Sequence, residues 1–226
     1  MNIGLIVAAG RGHRLGGAIP KQYLHLSGQT ILRRTILALS SHPHIHAIQV
    51  LIHPDDAQLY AAAIVGLDLP PPLFGGATRQ ETVRRGLEGI AHLNPATVLI
   101  HDAVRPFISH ATISAVLAAL ERSPGAIAGV PLADTLKRVT DGRVAATVDR
   151  QNLYRAQTPQ GFRYADILAA HRQVQREATG TEFTDDAMIA EHLGMSVEMV
   201  LGSEDNFKIT TTHDLQRAEF HLKNTA

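Results

Sequence analysis

The chain contains no cysteine. Disulfides, zinc–thiolate sites and thiol catalysis are excluded, and a reducing, cytoplasmic setting fits. Neither sign of charge is in excess: 21 Lys+Arg face 21 Asp+Glu, a formal net charge of zero. A nucleic-acid binder ordinarily carries a basic patch, so no nucleic acid is expected as partner. Long apolar runs are also missing. Ile3–Ala9 is apolar but far too short to span a bilayer. The start lacks the basic n-region and cleavage pattern of a signal peptide, so no membrane association is expected. The thirteen histidines show no H-E-x-x-H spacing. His42, His44 and His46, alternating around Pro43, read as loop or surface residues. No G-x-S-x-G elbow or Ser/His/Asp order points to acyl transfer.

What is present is a chain of 226 residues, 45% hydrophobic, enough for a sizeable core. Short apolar runs alternate with helix-like segments, the pattern of a mainly parallel α/β sheet with crossover helices. Strands are predicted at Ile3–Ala9, Ala47–His53, Thr97–His101, Ala126–Pro131 and Ser196–Leu201. Helices are predicted to begin near Thr30, Pro54, Thr78, Ser109, Tyr164, Thr184 and Thr212. Thr78 and Glu81 stand at capping-box spacing ahead of Val83, Leu87 and Ile90. Asp141-Gly142, between Thr135–Thr140 and Arg143–Asp149, predicts a β-hairpin. Its arms are too polar for a buried pair, and an isolated hairpin is marginal in water. Two readings stand open: a solvated hairpin, or an arm leaning on a second subunit.

The strongest local feature is Ala8-Ala9-Gly10-Arg11-Gly12-His13-Arg14-Leu15-Gly16-Gly17, then Pro20-Lys21-Gln22. Glycines after a strand let backbone N–H groups approach an anion, and Arg14 and Lys21 add positive charge. The loop is one residue too long for the dinucleotide fingerprint, and Ala18 follows Gly17 where a Walker loop needs Lys. Asp102 follows the strand Thr97–His101, on the edge where open α/β sheets bind ligands. Beside phosphates it could hold Mg²⁺; its ordinary alternatives are a helix cap or an ion pair with Arg105. Asp205 and Lys208 offer an acid and a cation after the late strand, and Arg150 follows the hairpin.

Together these motifs resemble the 2-C-methyl-D-erythritol 4-phosphate cytidylyltransferase family. The resemblance rests on the glycine loop with Pro20-Lys21-Gln22-Tyr23, Gly75-Gly76-x-x-Arg79 and His101-Asp102-Ala103-x-Arg105-Pro106. It continues through Asp134-Thr135-x-Lys137, Thr147-Val148-Asp149-Arg150, Thr158-Pro159-Gln160, Thr184-Asp185-Asp186-Ala187 and Asp205-Asn206-x-Lys208, in family order.

The resemblance implies a Rossmann-like, glycosyltransferase-A type fold over 1–226, with a hairpin arm at about 134–155 that reaches a partner in a homodimer. It implies CTP and 2-C-methyl-D-erythritol 4-phosphate as substrates, Mg²⁺ as cation, and a place in non-mevalonate isoprenoid synthesis. Arg14 and Lys21 would stabilise the α-phosphate; Arg150 and Lys208 would hold the acceptor. Arg105, Thr135, Thr158 and Thr184 would help bind the sugar phosphate, with Asp102 and Asp205 nearby and available to the metal. Ala8, Ala9, Gly10, Gly12, Gly76, Thr82 and Ala103 would shape the nucleotide pocket. Thr82 stands where the family often has Ser, keeping the hydroxyl; His13 and Val104 also differ from common choices. Some relatives carry a cyclodiphosphate synthase domain, for which the chain after Asp214–Leu222 leaves no expected room. Rival expectations are a cytidylyltransferase for another polyol phosphate such as ribitol 5-phosphate, a nucleotide-sensing module, and, disfavoured by loop spacing, a dehydrogenase.

Overall fold

A computed structural model describes residues 1–11, 19–177 and 180–225. Its centre is a seven-stranded sheet in the order β11-β7-β10-β6-β1-β4-β5. These strands are β1 (Asn2–Ala8), β4 (Ala47–Ile52), β5 (Leu73–Phe74), β6 (Thr97–Asp102), β7 (Gly125–Pro131), β10 (Tyr154–Arg163) and β11 (Val197–Leu201). All neighbours pair in parallel except β10, which runs antiparallel between β6 and β7. The mainly parallel Rossmann-like α/β sheet expected from the sequence is therefore present. Strand β10 carries no strand signal in the sequence because Gln157, Thr158 and Gln160 break its apolar pattern. Pro159 sits where the ladder with β7 shifts register, since proline cannot donate a ladder hydrogen bond.

Helices cover both faces. On one side α1 (Ile31–Ser40), α2 (Ala57–Ala63) and α4 (His110–Ala119) bury Leu32, Ile36, Tyr60, Ile113 and Val116. On the other, α3 (Arg79–Gly89), α5 (Tyr164–Glu177) and α6 (Asp186–His192) bury Val83, Leu87, Ile167 and Ala190. Burial on two faces explains the unbroken apolar runs of β1 and β6, and each buried Leu or Ile contributes about 1.5–3 kcal/mol. A small third cluster joins Ala218 of α7 (Thr212–Thr225) to Leu26, Ile31, Val104 and Ile209. Leu26 belongs to a short ribbon of β2 (His25–Leu26) and β3 (Gln29–Thr30).

The connectivity creates a crevice. From β1 the chain moves outward through β4 and β5, then crosses back to β6 on the other side of β1. The segments leaving β1 and β6 therefore diverge at their carboxyl ends, where open α/β sheets bind ligands. The hairpin stands apart as its own sheet of β8 (Leu136–Thr140) and β9 (Arg143–Val148). Asp141 (φ 49°) and Gly142 (φ 74°) adopt the two left-handed conformations that the Asp-Gly signal requires. Val139 and Val144 of this hairpin are exposed.

Candidate active site

Two neighbouring cavities open at this crevice. The first, of about 400 Å³, is lined by the expected nucleotide-pocket residues Ala8, Ala9, Gly10, Gly76, Thr82 and Ala103, and by Lys21. The second, of about 230 Å³, is lined by Arg105, Thr158, Gln160, Thr184 and Asp185. Arg79, Asp102 and Lys208 line both, so they form the wall between the two spaces.

Local structure explains how each wall is held. Pro20 leads into a turn of 3₁₀ helix, Lys21–Tyr23. The buried Gln22 side chain donates from Nε2 to the carbonyls of Ala8 (2.6 Å) and Gly10 (3.2 Å), strapping the Lys21 turn to the end of β1. Gly75 passes so near β1 that a Cβ there would lie 2.5 Å from the Ala9 side chain. Thr82 Oγ1 accepts from the Gly76 N–H at 3.0 Å. The α3 cap forms nearly as its spacing predicts: Thr78 Oγ1 accepts from Glu81 N–H, while the Glu81 carboxylate takes the N–H of Ala77, one residue before the cap.

Asp102 is the electrostatic centre. Its Oδ2 lies 3.1 Å from Arg105 Nε and 3.1 Å from Lys208 Nζ, and its N–H donates to Thr158 Oγ1 at 3.0 Å. The ion pair with Arg105, an ordinary alternative from the sequence, exists alongside the cavity position. Burial alone would raise the Asp102 pKa. The charges of Lys208, Arg105 and Arg79 outweigh it and hold the carboxyl well below the usual carboxylate range. His101 beneath is fully buried. Its Nε2 faces the Arg105 carbonyl at 3.1 Å and its Nδ1 faces Thr158 Oγ1 at 2.9 Å. Nε2–H therefore donates to the carbonyl, and Nδ1 accepts from the threonine hydroxyl. Burial pushes this imidazole down to about 4. The loop carrying Lys208 is fastened by Asn206, whose Nδ2 donates to the Thr158 carbonyl at 2.8 Å and whose own carbonyl accepts from Arg105 Nη1 at 2.7 Å.

Other expected residues fall elsewhere. Gly12 and Arg14 lie outside the described residues. Thr135 and Arg150 are exposed and line neither cavity of this chain. Asp205 also lines neither cavity: its carboxylate lies 3.5 Å from His221 Nδ1. Among the described residues no group of three His, Asp or Glu could by itself hold a metal ion.

A family model described as 2-C-methyl-D-erythritol 4-phosphate cytidylyltransferase matches residues 3–224. The chain belongs to this cytidylyltransferase family. It is 59% identical over 214 residues to the bifunctional enzyme IspD/IspF of Paramagnetospirillum magneticum, covering 95% of this chain and 55% of that one. It thus spans about half the length of the curated relatives it matches. The 4-diphosphocytidyl-2C-methyl-D-erythritol synthase of Anaerococcus prevotii superposes with TM-score 0.83 at 29% identity, covering 98% of this chain and 96% of that. The 2-C-methyl-D-erythritol 4-phosphate cytidylyltransferase of Francisella tularensis gives 0.83 at 30% identity, covering 97% and 99%.

Sequence reasoning in this cytidylyltransferase-family chain left Gln22 and Arg79 without roles, although both stand inside quoted motifs. Arg11 likewise carries no role that its sequence position signals. It lines the first cavity and donates to Asp56 Oδ1 (2.9 Å) and Asp55 Oδ2 (2.6 Å) on the turn after β4. In each case the only signal was a polar residue within or near a glycine-rich motif. Its partner lay too far along the chain to be read.

Proposed function

We propose that the protein transfers CMP from CTP to 2-C-methyl-D-erythritol 4-phosphate, yielding 4-diphosphocytidyl-2-C-methyl-D-erythritol and pyrophosphate in non-mevalonate isoprenoid precursor synthesis. The observation that carries this reading is the shared wall. Lys208 and Asp102 border both cavities, and Lys21 borders the first, so two phosphorylated molecules could meet across one set of charges.

The acceptor phosphate is already largely anionic near neutral pH, with a second pKa of about 6. It attacks the α-phosphorus in line; the bond to the bridging oxygen breaks and pyrophosphate leaves with the electron pair. No general base is required. The obstacle is repulsion between anions, and fixed cations remove it. Lys21, with Arg14, would meet the charge that develops on the α-phosphate. Lys208, Arg105, Thr158 and Thr184 would hold the acceptor, and the Ala8–Gly10 backbone, Gly76, Thr82 and Ala103 would enclose the cytosine. Asp102 suits a divalent cation such as Mg²⁺: its Oδ2 already carries both ion pairs, leaving Oδ1 to share with phosphate oxygens. Such a cation would supply charge neutralisation on the phosphates.

The reading includes a homodimer in which the arm carries Thr135 and Arg150 into the partner's second cavity. Exposed Val139 and Val144, and the hairpin's separation from the main sheet, support it. Residues 1–226 would act as one catalytic unit in the cytoplasm; among the described residues no helix is long and apolar enough to cross a membrane. The test is incubation with CTP, Mg²⁺ and the methylerythritol phosphate, with ribitol 5-phosphate and NAD in parallel. The CDP-linked methylerythritol product supports the reading. Preferred turnover of ribitol 5-phosphate, or binding of NAD but not CTP, would sink it.

A further inference from the structure

Arg79 opens α3 and borders both cavities. Its Nη2 donates to Asp186 Oδ2 at 2.7 Å. Asp186 is fully buried at the start of α6, and its Oδ1 lies 3.2 Å from His171 Nε2 on α5, also fully buried. Among the described residues His171 Nδ1 has no partner, so Nε2 is the nitrogen that carries the proton and donates. Gln160 completes the frame. Its Oε1 accepts from the N–H groups of Asp186 and Ala187, and its Nε2 donates to Asp185 at 2.8 Å.

A buried ion pair is weak evidence for stability, because well-packed apolar residues of similar volume serve as well or better. What this pair provides is a guanidinium held still by a carboxylate that is itself held. One nitrogen of Arg79 faces Asp186; the planar fork has further N–H donors to offer the cavities. Burial would raise the Asp186 pKa, but Arg79 and the His171 hydrogen bond outweigh it and keep the carboxyl below its ordinary value.

We propose that Arg79 is a further catalytic cation, contacting the phosphate that passes between the two cavities, and that Asp186 is the positioning residue that aims it. The proposal rests on the CMP-transfer reading. Removing Arg79 alone strands the fully buried Asp186 carboxylate, so the decisive protein is the Arg79→Gln/Asp186→Asn double variant, which removes both charges. We expect it to fold with a melting temperature near wild type. Its kcat should fall about 10²-fold, the usual loss for one transition-state donor. CTP binding, titrated calorimetrically, should weaken by roughly three- to tenfold, less than kcat falls, as for a contact that strengthens in the transition state. Arg79→Lys should retain more turnover than Arg79→Gln, and Asp186→Asn alone should lower kcat by about tenfold.

A folded double variant with wild-type kcat and an unchanged CTP dissociation constant would overturn the proposal. An Asp186→Asn protein with wild-type kcat would overturn the positioning role. Failure of the wild-type protein to transfer CMP is a different result: it removes the functional reading, and the CTP titration still reports on Arg79.

Discussion

The crevice and the hairpin arm both carry residues that the family resemblance assigns to the acceptor, yet they are built in opposite ways. Around the crevice the described charges are strapped to one another. Asp102 holds Arg105 and Lys208 and is capped by Thr158, and Asp186 holds Arg79. On the arm Thr135 and Arg150 are exposed, and the two strands pair only with each other. Preorganised charge in a partly dry site is worth far more than the same charge in water. The crevice can therefore do electrostatic work within one chain, and the arm can do it only against another surface.

The largest expected effect lies in the crevice. Lys21→Ala should lower kcat by about 10²–10³, or roughly 3–4 kcal/mol. Steady-state kinetics on protein with an unchanged circular dichroism spectrum would check it. More than half of wild-type turnover would remove Lys21 from catalysis and with it the contrast between the regions.

The second effect is thermodynamic. His101 has its pKa pushed down to about 4 by burial, against an ordinary value of about 6.5. The unfolded chain binds the proton first as pH falls. The stabilisation from a neutral His101 is therefore complete above about pH 6.5 and is lost progressively toward pH 4, by roughly 3 kcal/mol. Melting temperature recorded from pH 7 to pH 4.5 should fall, and His101→Gln should flatten that slope. Identical slopes in both proteins would show that the strapping under Asp102 is not what acid attacks.

Third, Arg150→Ala should raise the acceptor KM by about tenfold with a smaller change in kcat. If the arm serves the other subunit, mixing Arg150→Ala with Lys21→Ala protein should restore activity above either alone, because a mixed dimer has one intact site. A mixture no better than the average of its parts would confine Arg150 to its own chain and end the difference between crevice and arm.

How far the sequence reaches follows the same division. The strands β1, β4 and β6 were legible because burial on both faces leaves a run of apolar residues. The hairpin turn was legible because Asp-Gly suits two consecutive left-handed residues. The α3 cap was legible from Thr78 and Glu81. Strand β10 was not, because its inward-facing residues include Gln157, Thr158 and Gln160. These are buried polar groups whose partners, Asn206 and Asp185 among them, come from distant segments. Gln22 stands within a motif, but its task of bonding the carbonyls of Ala8 and Gly10 is a fact about folded distance. Spacing told that a cation stood at Lys21 and at Lys208. Only the fold shows that both border the same cavity, and it shows equally that Arg150 does not border that cavity in its own chain.

The smallest expected effect tests whether nearness to the rim in sequence is enough. Asp205 precedes Lys208 by a few residues, yet its carboxylate is exposed and its partner is His221 rather than either cavity cation. An exposed pair of this kind is worth at most about 0–1 kcal/mol. Asp205→Asn should therefore leave kcat and both KM values within about twofold and the Mg²⁺ dependence unchanged, since one carboxylate plus phosphate oxygens can hold that ion. Asp102→Asn should behave differently. It removes the shared partner of Arg105 and Lys208, strands buried positive charge at a cost of about 3–5 kcal/mol, and should shift the Mg²⁺ requirement upward. A strong Mg²⁺ defect in Asp205→Asn would mean that the loop swings inward when substrates bind, and that exposure in the free chain is a poor guide to which acid meets the metal.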